Sequence, residues 1–377
     1  MRIGIVCYPT FGGSGVVATE LGMALADNGH EVHFITYNQP VRLDFISHNL
    51  HFHEVMMEEY PLFQYQPYEL ALSTRMVEVV EKYKLEILHV HYAIPHAYAA
   101  YMAKQMLKEK GIDIKVVTTL HGTDITLVGS HPTYKTAVEF SINNSDVVTT
   151  VSKSLKEDTL RLFNITNDIH VIHNFIDIEK YDKANEKECQ RIALAAPDER
   201  IFTHISNFRP VKRVEDVIKT FEIVHKTIPS KLLMVGDGPD KRDAELLAKK
   251  LGIKDAVIFL GNSSEVDELL CYTDVFLLPS ETESFGLAAL EAMAAEAVVI
   301  STNTGGLPEV NEHGYSGFLS DIGDVEDMAA NALKIVKDEK TLQRFKSNAK
   351  EHTKQFSLKN ILPIYEDIYE SLIVKVN

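Results

Sequence analysis

The sequence predicts an α/β fold built as two doubly wound parallel-sheet domains. Three observations carry this. Short β-branched runs alternate with helical patterns along the chain, and one stretch of charged and small residues, 183–200, interrupts them. The 377 residues also exceed what one hydrophobic core usually supports. With 45% apolar and 24% charged residues the composition is that of an ordinary globular protein.

In the first half, strands are expected at 3–8, 31–36, 86–91, 115–121 and 146–151. Helices are expected at about 16–28, 68–84, 95–110 and 133–144. Gly29 is a good stop for the first helix. The second half repeats the pattern, with strands at 201–206, 232–236, 257–260, 274–279 and 297–301. Its helices are expected at 214–227, 241–251, 265–272 and 286–295. Amphipathic helices follow at about 324–337, 340–353 and 358–375. The domains are placed at 1–170 and 171–355, with a C-terminal helix, about 356–377, crossing back to the first.

A net charge of −16 argues against a nucleic-acid partner, because phosphate-backbone binding needs clustered cations. Any anionic ligand must therefore meet local positive groups. The opening MRIGIVCYPT reads as a strand, without a basic leader, and no run is long enough to span a bilayer. A cytoplasmic protein without membrane insertion is expected, its oligomeric state left open. Three widely spaced cysteines, Cys7, Cys189 and Cys271, read as reduced thiols.

Several constellations carry chemistry. Thr10-Phe11-Gly12-Gly13-Ser14-Gly15 joins the first strand to a helix, where glycines admit a close ligand and free N–H groups attract anions. Its spacing suggests a dinucleotide site, but the second strand ends in Thr36-Tyr37-Asn38, without the ribose-binding acid such a site needs. No cofactor is therefore expected.

The strongest signal is Glu281-Thr282-Glu283-Ser284-Phe285-Gly286-Leu287-Ala288-Ala289-Leu290-Glu291, which follows a strand and opens a helix. Glu283 and the amides of Phe285, Gly286 and Leu287 should face a crevice at the strand ends. At about 1.5 Å per helical residue, Glu283 and Glu291 stand roughly 12 Å apart. That is too far for the paired carboxylates of a retaining glycosidase, about 5 Å apart. They are read as hydrogen-bond acceptors, one for sugar hydroxyls and one for a ribose. The loop Asn207-Phe208-Arg209-Pro210-Val211-Lys212-Arg213 offers three cations at a strand end and reads as a diphosphate clamp, against the alternative of a solvated charge cluster. Gly236-Asp237-Gly238-Pro239 and Gly305-Gly306-Leu307-Pro308-Glu309 follow strands and could line the same crevice. His121, in His121-Gly122-Thr123-Asp124, ends another strand. His89, His91 and His96 invite a metal hypothesis, but no carboxylate or cysteine accompanies them at ligand spacing, so no metal is expected. The chain has no Asp-x-Asp pair, so charge on a bound diphosphate would be met by Arg209, Lys212 and helix N-termini.

Taken together, ESFGLAALE, the GDGP turn, TGGLPE and the glycine-rich first loop resemble the retaining glycosyltransferases of family 4, which have the GT-B fold: two Rossmann-like domains with an interdomain cleft. The resemblance covers nearly the whole chain. CYPTFGGSGVVATELG, HVHYAIPHAYAA and TTLHGTDITLVGS resemble, more narrowly, the members that open bacillithiol biosynthesis. That resemblance implies transfer of N-acetylglucosamine from UDP-GlcNAc to the hydroxyl of L-malate, without a metal. It implies that Glu283 contacts sugar hydroxyls, Glu291 the ribose, and Arg209 and Lys212 the diphosphate with the amides of Gly15 and Phe285 to Leu287; His121 sits beside the donor sugar. Ser14, Tyr92, Thr119, Ser152 and Lys153 are the expected malate-binding positions. The cationic loop departs from many relatives, which have an arginine directly after a glycine at its start, where Asn207 stands here. Another small or lipid acceptor, a nucleotide-sugar epimerase on the same fold, and a binding module without turnover remain as alternatives.

Overall fold

The computed structural model describes residues 1–10, 12–43, 48–58, 61–186, 191, 194–263 and 266–373; Phe11 and Cys189 lie outside them. The chain divides into two compact units, the first comprising Met1–Asn174 with the segment from Lys359 onward, the second Phe175–Leu358.

The first unit runs β1 (Arg2–Val6), α1 (Gly13–Asp27), β2 (Glu31–Thr36), β3 (Leu50–Glu54), α2 (Tyr68–Tyr83), β4 (Ile87–His91), α3 (Tyr98–Glu109), β5 (Lys115–Leu120), α4 (Pro132–Asn143), β6 (Val147–Thr150), α5 (Lys153–Leu162) and β7 (Ile169–Val171). Its sheet is parallel, in the order β3-β2-β1-β4-β5-β6-β7. The order reverses between β1 and β4, so the carboxyl ends of those strands mark the place where open α/β sheets bind ligands. Ile3, Ile5, Val32, Phe34, Leu88, Val90 and Val117 are fully buried, as strands covered on both faces require.

The second unit runs α6 (Ile178–Glu186), β8 (Arg200–Ile205), α7 (Val214–His225), β9 (Ser230–Val235), α8 (Lys241–Lys250), β10 (Val257–Gly261), α9 (Val266–Leu270), β11 (Val275–Leu278), α10 (Leu287–Ala294), β12 (Val298–Thr302), α11 (Leu307–Val310), β13 (Gly317–Ser320), α12 (Val325–Val336) and α13 (Glu339–Thr353). Its parallel sheet has the order β10-β9-β8-β11-β12-β13, with the reversal between β8 and β11. Phe202, Phe221, Leu232, Met234, Val275, Leu277 and Ile300 form its core with α7 and α12.

The last helix, α14 (Leu358–Ile373), packs on the first unit. It buries Tyr365 and Tyr369, and the Tyr369 hydroxyl lies 2.7 Å from His89 Nδ1. Glu366 accepts from Asn28 at 3.1 Å and pairs with His30 at 2.9 Å.

No helix among the described residues is long and apolar enough to cross a membrane. The cysteines require a correction: Cys7 is free and buried, but Cys271 is disulfide-bonded. Spacing along a chain does not report which thiols meet in space, so reduced thiols did not follow from it.

Candidate active site

In the second unit, the loop after β8 is braced from beneath. Ser206 Oγ meets His204 Nε2 at 2.8 Å and accepts from the Phe208 amide at 3.2 Å. Burial pushes the His204 pKa down to about 4, so this brace is uncharged near neutrality. Phe208 is buried, which leaves Asn207 and Arg209 exposed on either side. A short 3₁₀ turn, Pro210–Lys212, then carries Lys212 back to the sheet, where its Nζ donates to Glu283 Oε1 at 2.5 Å. The same oxygen accepts from Ser280 Oγ at 2.9 Å. The pair is partly buried, with side-chain exposures of 21% for Lys212 and 15% for Glu283, so both groups remain within reach of a ligand. Arg213 turns away to Asp216, 2.6 Å distant, so only two of the three cations serve this surface.

The Glu283 loop is fixed on its far side by Gly305-Gly306. The Gly306 amide donates to Glu283 O at 2.9 Å. A Cβ on Gly305, whose φ is +54°, would stand 1.9 Å from that same oxygen. Only glycine permits this approach. Gly286 then opens α10 with no side-chain cap and no acidic residue in the first turn, an end that favours an anion. Glu291 lies partly buried one turn further along α10.

In the first unit, α1 starts directly after β1. A Cβ on Gly15 would come within 2.5 Å of the carbonyl oxygens of Tyr8 and Thr10, so the loop can fold this tightly only over glycine. The Gly15 amide donates to Gly12 O at 3.0 Å. Tyr92 ends β4 with φ +86°, an uncommon value for a bulky residue, and this aims its hydroxyl at Ser14 Oγ, 2.8 Å away. Burial pushes the Tyr92 phenol up to about 12, so it remains protonated. The rings of Tyr8 and His121 flank it, each at 5.3 Å.

His121 Nε2 meets His91 Nδ1 at 2.8 Å. Burial first, then nearby His96, holds His121 at about 3, so it is a neutral imidazole at physiological pH. Below it, Asp124 ties together the two strand ends: one oxygen accepts from the His121 and Gly122 amides at 3.1 and 3.0 Å, the other from Ala93 at 2.8 Å. Burial raises the Asp124 carboxyl to about 6 despite these three bonds.

Residues 11–180 match the model for Glycosyltransferase Family 4, and residues 185–352 match that for Glycosyl transferases group 1. The chain is also 48% identical, over 374 residues, to the N-acetyl-alpha-D-glucosaminyl L-malate synthase of Bacillus anthracis; the match covers 99% of this chain and 97% of the relative. The chain belongs to the family 4 glycosyltransferases. An uncharacterised glycosyltransferase of Methanocaldococcus jannaschii is 26% identical over 97% of both chains. Among solved structures, sucrose-phosphate synthase from Thermosynechococcus elongatus superposes with a TM-score of 0.80 at 20% identity, covering 100% of both chains. Anabaena HepE in complex with UDP and glucose gives 0.79 at 17% identity, covering 98% of this chain and 100% of that one. These likenesses show the fold, GT-B with two Rossmann-like units.

In this glycosyltransferase, Lys212 and Glu283 touch directly, and Asn207 and Arg209 share the Lys212 loop. Ser14, Tyr92 and His121 form a second group. Two expected acceptor positions are occupied with other partners. Thr119 is fully buried, its hydroxyl 2.7 Å from both His89 Nε2 and Thr149 Oγ1, and buried Ser152 caps α5 by accepting from Leu155 N at 3.0 Å. Lys153 is exposed in the first turn of α5. The sequence did not single out Tyr8 or Ser280, pointed to His91 only as a metal candidate, and carried Asp124 only as the end of the His121 segment. A carboxylate three residues after His121 at a strand end was the available signal for Asp124.

Proposed function

We propose that this glycosyltransferase moves N-acetylglucosamine from UDP-GlcNAc to the hydroxyl of L-malate with retention at the anomeric carbon, giving GlcNAc-malate and UDP. The observation that carries this reading is the 48% identity, over almost the full length of both chains, to the Bacillus anthracis enzyme named for that product. The second unit takes the donor: Arg209 and Lys212 hold the diphosphate with Asn207 beside them, the amides of Phe285, Gly286 and Leu287 add dipoles, Glu283 binds sugar hydroxyls, and Glu291 binds the ribose. The first unit takes the acceptor through Ser14, Tyr92 and Lys153, with His121 next to Tyr92; Thr119 and Ser152 stay buried in their hydrogen bonds to His89, Thr149 and the Leu155 amide. Neutral His121 suits a hydrogen-bonding role better than that of a charged acid.

The transfer breaks the bond from the anomeric carbon to the β-phosphate oxygen and forms one to the malate oxygen on the same face. The bonding electron pair leaves with UDP, and the malate hydroxyl proton passes to the departing phosphate oxygen. The protein positions the reactants and stabilises the growing charge through Arg209, Lys212 and the amides, with no divalent cation in the step. We take the reaction to be cytoplasmic, where nucleotide-activated sugars are made.

Mass spectrometry and anomeric NMR of a reaction containing UDP-GlcNAc and L-malate test this. An α-linked GlcNAc-malate supports it. Donor conversion without malate, or transfer only to other hydroxyl compounds, overturns it.

A further inference from the structure

The pairing of β2 with β3 brings four chemistry-bearing residues onto one face of the first sheet, at an edge that takes no part in the reaction above. His33 on β2 lies opposite His51 on the edge strand β3, and Ile35 opposite His53. Glu31, two residues before His33, points to the same side. The cluster stands at the amino end of β2, whereas Ser14, Tyr92 and His121 lie beyond the carboxyl ends of β1, β4 and β5.

We propose that Glu31, His33 and His51 bind a divalent transition-metal ion of the zinc class, which ties edge strand β3 to β2. One ligand atom from each residue lies within 4.8 Å of the other two. Glu31 Oε1 is 3.2 Å from His33 Nε2 and 3.4 Å from His51 Nε2. Zinc bonds of about 2.0–2.2 Å in tetrahedral geometry set ligand atoms roughly 3.3–3.6 Å apart, so two edges of the coordination polyhedron are already in place. The third closes by rotation of the half-exposed His51 ring.

The support around His33 has the form that metal-bound histidine requires. Its second nitrogen, Nδ1, lies 2.8 Å from His53 Nε2. An Nδ1–H donating to His53 leaves the Nε2 lone pair directed at Glu31, so the partner fixes both the tautomer and the aim of the ligand. His33 itself is fully buried and stacked on His51 at 4.5 Å and on His53 at 5.1 Å, with Tyr83 at 4.6 Å. Glu31 and His51 are the accessible ligands, 39% and 36% exposed, which provides a route for the ion. Two imidazoles and one carboxylate suit zinc, cobalt or nickel, whereas magnesium and calcium prefer oxygen donors throughout. The sequence alone pointed to no metal, because Glu31 and His51 come from separate strands and LHFHE has no strand-like β-branched run.

The test uses untagged full-length protein, stripped with a chelator, passed into metal-free buffer and then reloaded with a small excess of zinc or cobalt. Zinc per chain is read by elemental mass spectrometry after gel filtration, and cobalt by its visible ligand-field absorption. The expected result is about one zinc per chain, a cobalt spectrum of low-coordinate N/O type, and a melting temperature that rises with zinc. Glu31→Gln and His51→Asn, both at half-exposed positions, should keep the far-UV circular dichroism and the transferase turnover of the metal-free protein. Each should weaken zinc binding by at least about tenfold and lose the zinc-dependent rise in melting temperature. Wild-type protein that retains no zinc, or zinc bound equally well by both variants, overturns the proposal. In that event Glu31 is only a carboxylate hydrogen-bonded to two imidazoles.

Discussion

Acid should destabilise the first unit well before its carboxylates titrate in the ordinary range, because it keeps several histidines buried and neutral. Burial lowers His89 to about 3, His96 to about 4 and His121 to about 3, all from 6.5. The unfolded chain therefore takes up protons at these positions as pH falls below 6.5, while the folded chain does not, and stability falls in that direction. At 1.36 kcal/mol per pKa unit, moving from pH 7 to 5 costs about 2 kcal/mol per histidine, or roughly 6 for the three. Asp124 works the other way. Its folded pKa of about 6 lies above the ordinary 3.8, so protonation on acidification favours the folded state and returns about 1 kcal/mol. For these four groups together the net loss is roughly 4–5 kcal/mol, a large share of the 5–15 kcal/mol that holds a typical domain together. Urea unfolding at pH 7 and pH 5, at constant ionic strength, with hydrogen exchange read on peptides from β4 and β5, measures it in this unit. His89→Gln should reduce the pH dependence by about 2 kcal/mol, whatever it does to stability at pH 7. Equal or greater stability at pH 5 in the wild type would show that these histidines are not held neutral by burial.

Three further outcomes are expected. Lys212→Ala, with unchanged circular dichroism, should lower kcat/KM about 10²–10³-fold, as removal of one preorganised group at a developing charge commonly does; unchanged turnover would remove Lys212 from the diphosphate site. Gly305→Ala forces a Cβ against Glu283 O in a left-handed conformation, a strain of ~1–3 kcal/mol, so UDP binding measured by calorimetry should weaken about tenfold or more. Tyr92→Phe removes the 2.8 Å bond to Ser14, worth about 1 kcal/mol. The KM for malate should rise several-fold while that for UDP-GlcNAc stays unchanged.

Much of this architecture was legible in the residues, and the parts that were not have identifiable causes. The central strands read correctly because both faces are covered and their apolar runs are continuous, as in LLMV or VFLL. β3 was missed because LHFHE, at the sheet edge, carries two histidines where a β-branched run was sought. β7 and β13, IHV and GFLS, are interrupted by histidine or bounded by glycine and serine, so neither presents a continuous apolar run. At the site, ESFGLAALE announced its strand-to-helix turn, because glycine and small residues there have a direct backbone reason. The Lys212–Glu283 contact, 71 residues apart in sequence, had no local signal. Nor could a strand-end position show that the Thr119 hydroxyl is taken up by His89 and Thr149; which face of a buried strand meets polar neighbours is settled by the other strands.

The most direct test of how the donor is held is a crystal structure with UDP bound, grown in the presence of a chelator. Diphosphate oxygens are expected within about 3.2 Å of the Arg209 guanidinium, Lys212 Nζ and the amides that open α10, with Glu291 on the ribose hydroxyls. A nucleotide seated elsewhere, or one whose binding requires a bridging metal ion, would contradict that placement.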